Sequence, residues 1–212
     1  MNVFVESNFV LELAFQQEHY EACTRILAGA VTGSYTLHVP QYALTEVFHT
    51  LHHRRNERLK NREYFRQEIA QHRREAEADA AETDLLVQLL TGLLDTRTQA
   101  QTDRLFAVTT QLAALAPGPA LTEHVLREAQ ELRELHSFTS QDALVYTSVL
   151  AGLRQLPLAT PKLFITRNDS DFKKPAIVQE LQGFNCRLLA NFSGAADLLE
   201  SGKPQLSYTR KF

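Results

Sequence analysis

Short β-prone segments alternate along the chain with longer segments whose apolar residues recur at helical spacing. Residues 1–5, with Val3-Phe4-Val5 uninterrupted, read as a buried strand. Tyr35 to Val39, closed by Pro40, Pro161 to Thr166 and Cys186 to Leu189 read as three more. Asn8 to Leu27 reads as one helix, with Phe9, Val10, Leu13, Ala14, Ile26 and Leu27 on its stripe and Gly29 and Gly33 ending it. A second helix starts at Gln41 and places Ala43, Leu44, Val47, Phe48 and Leu51 on one face. Further helices are expected over 103–115, over 122–135 with Thr122 as cap, over 140–153, over 175–181, and over 193–199 with Ser193 as cap. This order predicts an α/β fold: a three-layer sandwich around a central, mostly parallel sheet of four to five strands. Residues 1–212 form one domain, with about 53–120 as a helical insertion.

The insertion differs in character from what flanks it. From His52 to Asp84 charged residues, Gln and Ala dominate, which predicts a long solvated helix or a helical pair. Arg54, Arg55, Arg58, Lys60, Arg62 and Arg66 crowd its first half, and Glu75, Glu77, Asp79, Glu82 and Asp84 its second. Leu85 to Leu94 is apolar almost all round and is expected to be buried, in the core or against a partner.

Composition narrows the function classes. A net charge of −3 gives no global basic field to announce nucleic acid, although a local basic stripe would serve. Cys23 and Cys186 stand far apart without metal or redox spacing and read as buried, reduced thiols, which points to the cytoplasm. The N-terminus has no basic segment and Glu6 interrupts its apolar run, so no signal peptide is expected; no run is long enough to span a membrane.

The candidate chemistry lies in Glu6, Glu46, Asp142 and Asp169. Glu6 follows the first strand, and Asp169 follows the third across Thr166-Arg167-Asn168. Glu46 and Asp142 sit in the first turns of helices. Open parallel sheets gather their chemistry at the carboxyl ends of the strands, so these four acids are expected to converge there. Carboxylates so gathered repel unless a cation holds them, and hard oxygen ligands without Cys or His select Mg²⁺ or Mn²⁺. Such ions activate water and stabilise the leaving oxygen of a phosphodiester. Asp171 competes with Asp169 as the last acid and is expected to support it, while Asn168 and Thr166 are expected to orient ligands or water. Asp-x-Glu and Asp-x-Asp on the first strand, expected of acidic exonucleases and dehalogenase-like phosphatases respectively, are absent.

Taken together, Phe4-Val5-Glu6-Ser7-Asn8, Val39-Pro40 with Glu46-Val47, Ser140-Gln141-Asp142-Ala143-Leu144, and Phe164 through Phe172 resemble the PIN-domain nucleases in order and spacing. The resemblance covers about residues 1–52 and 122–200. It implies a PIN-like fold and Mg²⁺- or Mn²⁺-dependent hydrolysis of RNA or structured nucleic acid, with Glu6, Glu46, Asp142 and Asp169 as the metal-site acids. It further implies Asn8 steadying the first turn, and a toxin or defence nuclease, with an antitoxin, or an RNA-processing enzyme; a homodimer is expected by the same analogy. The family usually carries Asp within Asp-Thr-Asn where this chain has Glu6-Ser7-Asn8, one methylene longer. That departure sustains an alternative, a catalytically inactive PIN-like module that binds RNA or protein.

Two basic features bear on the substrate. Arg54, Arg55 and Arg58 are expected to contact phosphates, balanced against a solvated helix with internal ion pairs, and Arg167 is the best-placed single residue to steer a phosphate. His49, His52 and His53 recur at i, i+3, i+4, and a solvated or substrate-facing patch is favoured there over a metal site.

Overall fold

The computed structural model describes residues 1–74 and 80–202. Strand β1 (Asn2–Val5) leads into α1 (Ser7–Phe15) and α2 (Tyr20–Val31), then β2 (Thr36–His38) into α3 (Gln41–His72). The helices α4 (Ala80–Leu115), α5 (Glu123–His136) and α6 (Ser140–Arg154) follow. The chain continues through β3 (Lys162–Ile165), α7 (Asp169–Phe172), α8 (Pro175–Gly183), β4 (Cys186–Leu189) and α9 (Phe192–Glu200).

The four strands lie parallel in the order β2-β1-β3-β4, with Val3 opposite Leu163 and Val5 opposite Ile165. Side chains alternate across the strands. Val3, Val5, Leu163 and Ile165 join an apolar cluster with α1, α2, α3 and α9. Phe4 and Phe164 join a second cluster with Tyr146, Val149 and Leu150 of α6 and Phe172.

The expected three-layer sandwich is not what forms. The chain is 71% helical and mostly bundle-like, and its sheet is only four short strands. The reason is local. Among the described residues no strand exceeds four residues, whereas α3 and α4 run for 32 and 36 residues. Past Leu51 the Arg- and Glu-rich sequence has good helix propensity and no Gly or Pro to break it, so α3 simply continues.

Other details also depart from expectation. The single helix over 8–27 divides at Gln16, which adopts a left-handed conformation (φ 49°) and closes α1. The buried carboxylate of Glu12 accepts the backbone N–H of His19 at 2.8 Å and fixes the turn. The helix expected over 103–115 is the end of α4. Residues Leu85 to Leu94 are not buried as a group. Val87, Leu90 and Leu94 turn toward Phe65 and Ile69 of α3, but Leu85, Leu86, Leu89 and Leu93 are exposed. One neighbouring helix covers one stripe, and an all-round apolar segment needs more. Thr122 caps α5 by accepting from Val125 N–H, whereas α9 is capped by Asn191 and not by Ser193. Glu75, Glu77 and Asp79 lie outside the described residues.

Cys23 and Cys186 are buried and unbonded, and burial pushes the Cys186 thiol up to about 12. Among the described residues no helix is long and apolar enough to cross a membrane.

Candidate functional site

The carboxyl end of β1 delivers Glu6, which caps α1 with its own side chain. Its Oε1 accepts from Asn8 Nδ2 and from Thr166 Oγ1, each at 2.8 Å. Its Oε2 accepts from Ser7 Oγ at 3.2 Å and from the Asn8 backbone N–H at 3.3 Å. Thr166 follows β3, so the ends of two adjacent strands are tied together through this carboxylate. Glu6 is buried, and these donors satisfy both of its oxygens.

Asp142 stands in the first turn of α6. The Thr139 hydroxyl caps that helix by accepting Asp142 N–H at 3.1 Å, and donates to Asp142 Oδ2. Asp142 Oδ1 accepts from Asn168 Nδ2 at 2.8 Å. Asn168 itself is held by Thr166, whose Oγ1 accepts the Asn168 N–H at 2.8 Å. Thr166 and Asn168 thus link Glu6 to Asp142.

Glu46 enters from the second turn of α3. Its Oε2 is buried and makes no hydrogen bond. Burial raises its pKa above the ordinary carboxylate value, and the charges of Glu6 and Asp142 add to it. Three of the four expected acids therefore sit within electrostatic reach of one another. Tyr42 joins them: burial first, then Glu46 and Asp142, raise its pKa. Sequence reasoning passed over Tyr42, although it lies one helical turn before Glu46 and so on the same face.

The other expected residues go elsewhere. Asp169 is exposed at the start of α7 and pairs with Lys173 Nζ at 2.5 Å; Asn168, one residue earlier, is what reaches Asp142. Asp171 lies beside Lys174, at 3.9 Å, and Ser170. Arg167 is engaged by acids of the α1–α2 region. It binds Glu12 Oε1 at 2.7 Å and approaches Glu18 at 3.5 Å. Glu12, 1% exposed, also escaped notice, though a lone charge inside the run Phe9 to Phe15 was its signal. Arg54 lies over the Phe15 ring at 4.6 Å, while Arg55 and Arg58 face the groove between α3 and α4. His49, His52 and His53 are exposed, with His53 beside Glu57 at 3.2 Å.

The donor set of Glu6, Glu46 and Asp142 is all oxygen, the type hard divalent cations take. The unpartnered, buried Glu46 Oε2 and the mutual repulsion raising its pKa fit such a cation. Among the described residues, however, no three His, Cys, Asp or Glu side chains are already grouped as a metal site. Compared with protein-family models, characterised proteins and solved structures, the chain matches none.

Proposed function

We propose that the chain is a metal-dependent endoribonuclease whose centre is Glu6, Glu46 and Asp142. The observation that carries this reading is the meeting of these three carboxylates beside the ends of β1 and β3, with a buried Glu46 oxygen left without a donor. The motif resemblance to PIN-domain nucleases supports the choice of RNA as substrate. Glu6, Glu46 and Asp142 would hold Mg²⁺ or Mn²⁺. A bound ion of this kind polarises the phosphodiester and lowers the pKa of an attacking water. Thr166, Asn8 and Ser7 fix the Glu6 carboxylate, and Asn168 and Thr139 fix that of Asp142. Tyr42 presents a phenol to the same acids. In-line attack of water would leave a 5′-phosphate and a 3′-hydroxyl.

A second reading, an inert RNA- or protein-binding module, draws on a specific observation. Four donor groups from Ser7, Asn8 and Thr166 already occupy Glu6, an arrangement that ties strand ends together without any ion. Calorimetric titration with Mn²⁺ separates the two. The nuclease reading predicts saturable binding that Glu46→Gln and Asp142→Asn each weaken at least about tenfold. Binding absent from the folded parent protein would refute it and favour the inert module.

A further inference from the structure

A second polar cavity lies away from the acids. It is a groove of about 410 Å³ between α3 and α4. Arg55, Arg58 and Arg62 line one wall, and Thr98, Thr102 and Gln99 face them from α4. Leu59 and Leu94 add an apolar surface between.

Its charge is poorly balanced. Arg58 donates to Thr98 Oγ1 at 2.8 Å and to Gln101 Oε1 at 2.5 Å, both neutral acceptors. Burial, and then Arg97 and Arg54, pull the Arg58 pKa below its ordinary value. Arg62 meets Asp95 at 3.2 Å, yet its Nε is buried without an acceptor. No hydrogen bond or ion pair joins the Arg55 side chain to any described residue. Asp95 is the acid among the lining residues. Among the lining residues three guanidinium groups thus stand against a single carboxylate, and that carboxylate is engaged by Arg62.

The groove is not an extension of the acidic site. Arg55 lies about 14 Å and Arg62 about 24 Å beyond Glu46 along the helix axis. By helical rotation Arg55, Arg58 and Arg62 point roughly 120–180° away from Glu46. Glu46 faces Glu6 and Asp142, while the arginines face α4.

We propose that this groove is a separate anion site that takes the phosphate of a nucleotide-sized ligand through Arg55, Arg58 and Arg62. Planar guanidinium forks match phosphate oxygens, the α4 hydroxyls supply further donors, and Leu59 with Leu94 offers an apolar wall for a base. The phosphate belongs to a free nucleotide or to a nucleotide within an RNA strand. This inference does not rest on the acidic-site reading.

The test is calorimetry on the full chain in EDTA, with adenosine 5′-monophosphate in one arm and a short single-stranded RNA in the other. Binding in either arm, weakened at least about tenfold by Arg55→Gln and by Arg62→Gln, is expected. Binding of the mononucleotide identifies a nucleotide site; binding of RNA alone identifies a strand track. Asp95→Asn, which removes the acid in the lining, should tighten the same interaction, and Asp142→Asn should leave it unchanged. Arg55 has no structural partner to lose, so Arg55→Gln retains the fold. The proposal is overturned if neither ligand binds, or if binding is indifferent to Arg55→Gln and Arg62→Gln in protein that melts as the parent does.

Discussion

Gly118→Ala should destabilise the protein out of proportion to the single methyl added. A Cβ at Gly118 would stand 1.6 Å from the carbonyl oxygen of Val39, 2.3 Å from its carbon and 2.9 Å from Pro40 N. Ordinary contact needs about 3.5 Å, so backbone would have to retreat by roughly 2 Å. The obstacle is main chain and cannot swing aside like a side chain. Nor is there freedom around it: Pro119 O accepts Gln41 N–H at 3.3 Å, and Pro117 O lies 3.3 Å from His38 Nδ1. Overpacking of this kind costs about 3 kcal/mol. For a chain of this size that lowers Tm by roughly 6–12 °C. Because Val39-Pro40 starts the helix that carries Glu46, any RNA cleavage should fall with it. The matched control is Gly92→Ala, in the interior of α4 with open space around its missing Cβ. That change should raise stability by about 1 kcal/mol through helix propensity alone. Thermal melts followed by circular dichroism measure both. If Gly118→Ala melts within about 2 °C of the parent, the close docking of this loop on the β2–α3 turn is wrong.

Two further substitutions probe the charges around the site. The pKa of Glu46 is raised in the fold, so the folded state binds a proton more readily than the unfolded chain. Its contribution to stability is therefore fully present below the ordinary carboxylate pKa and is lost as pH rises through the folded value. Glu46→Gln abolishes that loss, and in melts from about pH 4 to about pH 8 the variant should gain on the parent as pH rises; a parent that gains on the variant instead would contradict the electrostatic reading. Glu12→Leu removes both the Arg167 ion pair and the acceptor for His19 N–H, and should cost about 2 kcal/mol in urea titrations; a change under about 0.5 kcal/mol would show that Glu12 does not fix the α1–α2 turn.

How much of this was legible in the sequence depended on how local each feature is. The runs Val3-Phe4-Val5 and Leu163-Phe164-Ile165 gave strands, because short apolar segments bounded by polar residues have few other places to go. Glu6 and Asp142 were readable because strand end and helix start are local signals. The pairing of Asp169 was not legible because it is a matter of register: α7 is a four-residue helix, with Asn168 just before it reaching Asp142 and Asp169 reaching Lys173, and no periodicity exists over so short an element. The ion pair of Arg167 was not legible because its partner Glu12 is distant in sequence, and a surface arginine looks the same whether or not a buried carboxylate awaits it. The architecture was overdrawn toward a sandwich because the order of elements was weighed and their lengths were not. The exposure of Leu85, Leu86, Leu89 and Leu93 within the single chain has a related reason. Apolarity states a demand for cover, and the number of neighbouring helices decides whether it is met.

The central claim is that Glu6, Glu46 and Asp142 form a hydrolytic centre. Incubating purified protein with a mixed RNA pool, in Mn²⁺ and in EDTA, beside Asp142→Asn, tests it most directly. Cleavage is expected in Mn²⁺, none in EDTA, and none with a folded Asp142→Asn variant, with 5′-phosphate and 3′-hydroxyl ends on the products. Cleavage that persists undiminished in folded Asp142→Asn, or an intact RNA pool with folded parent protein in Mn²⁺, would contradict it.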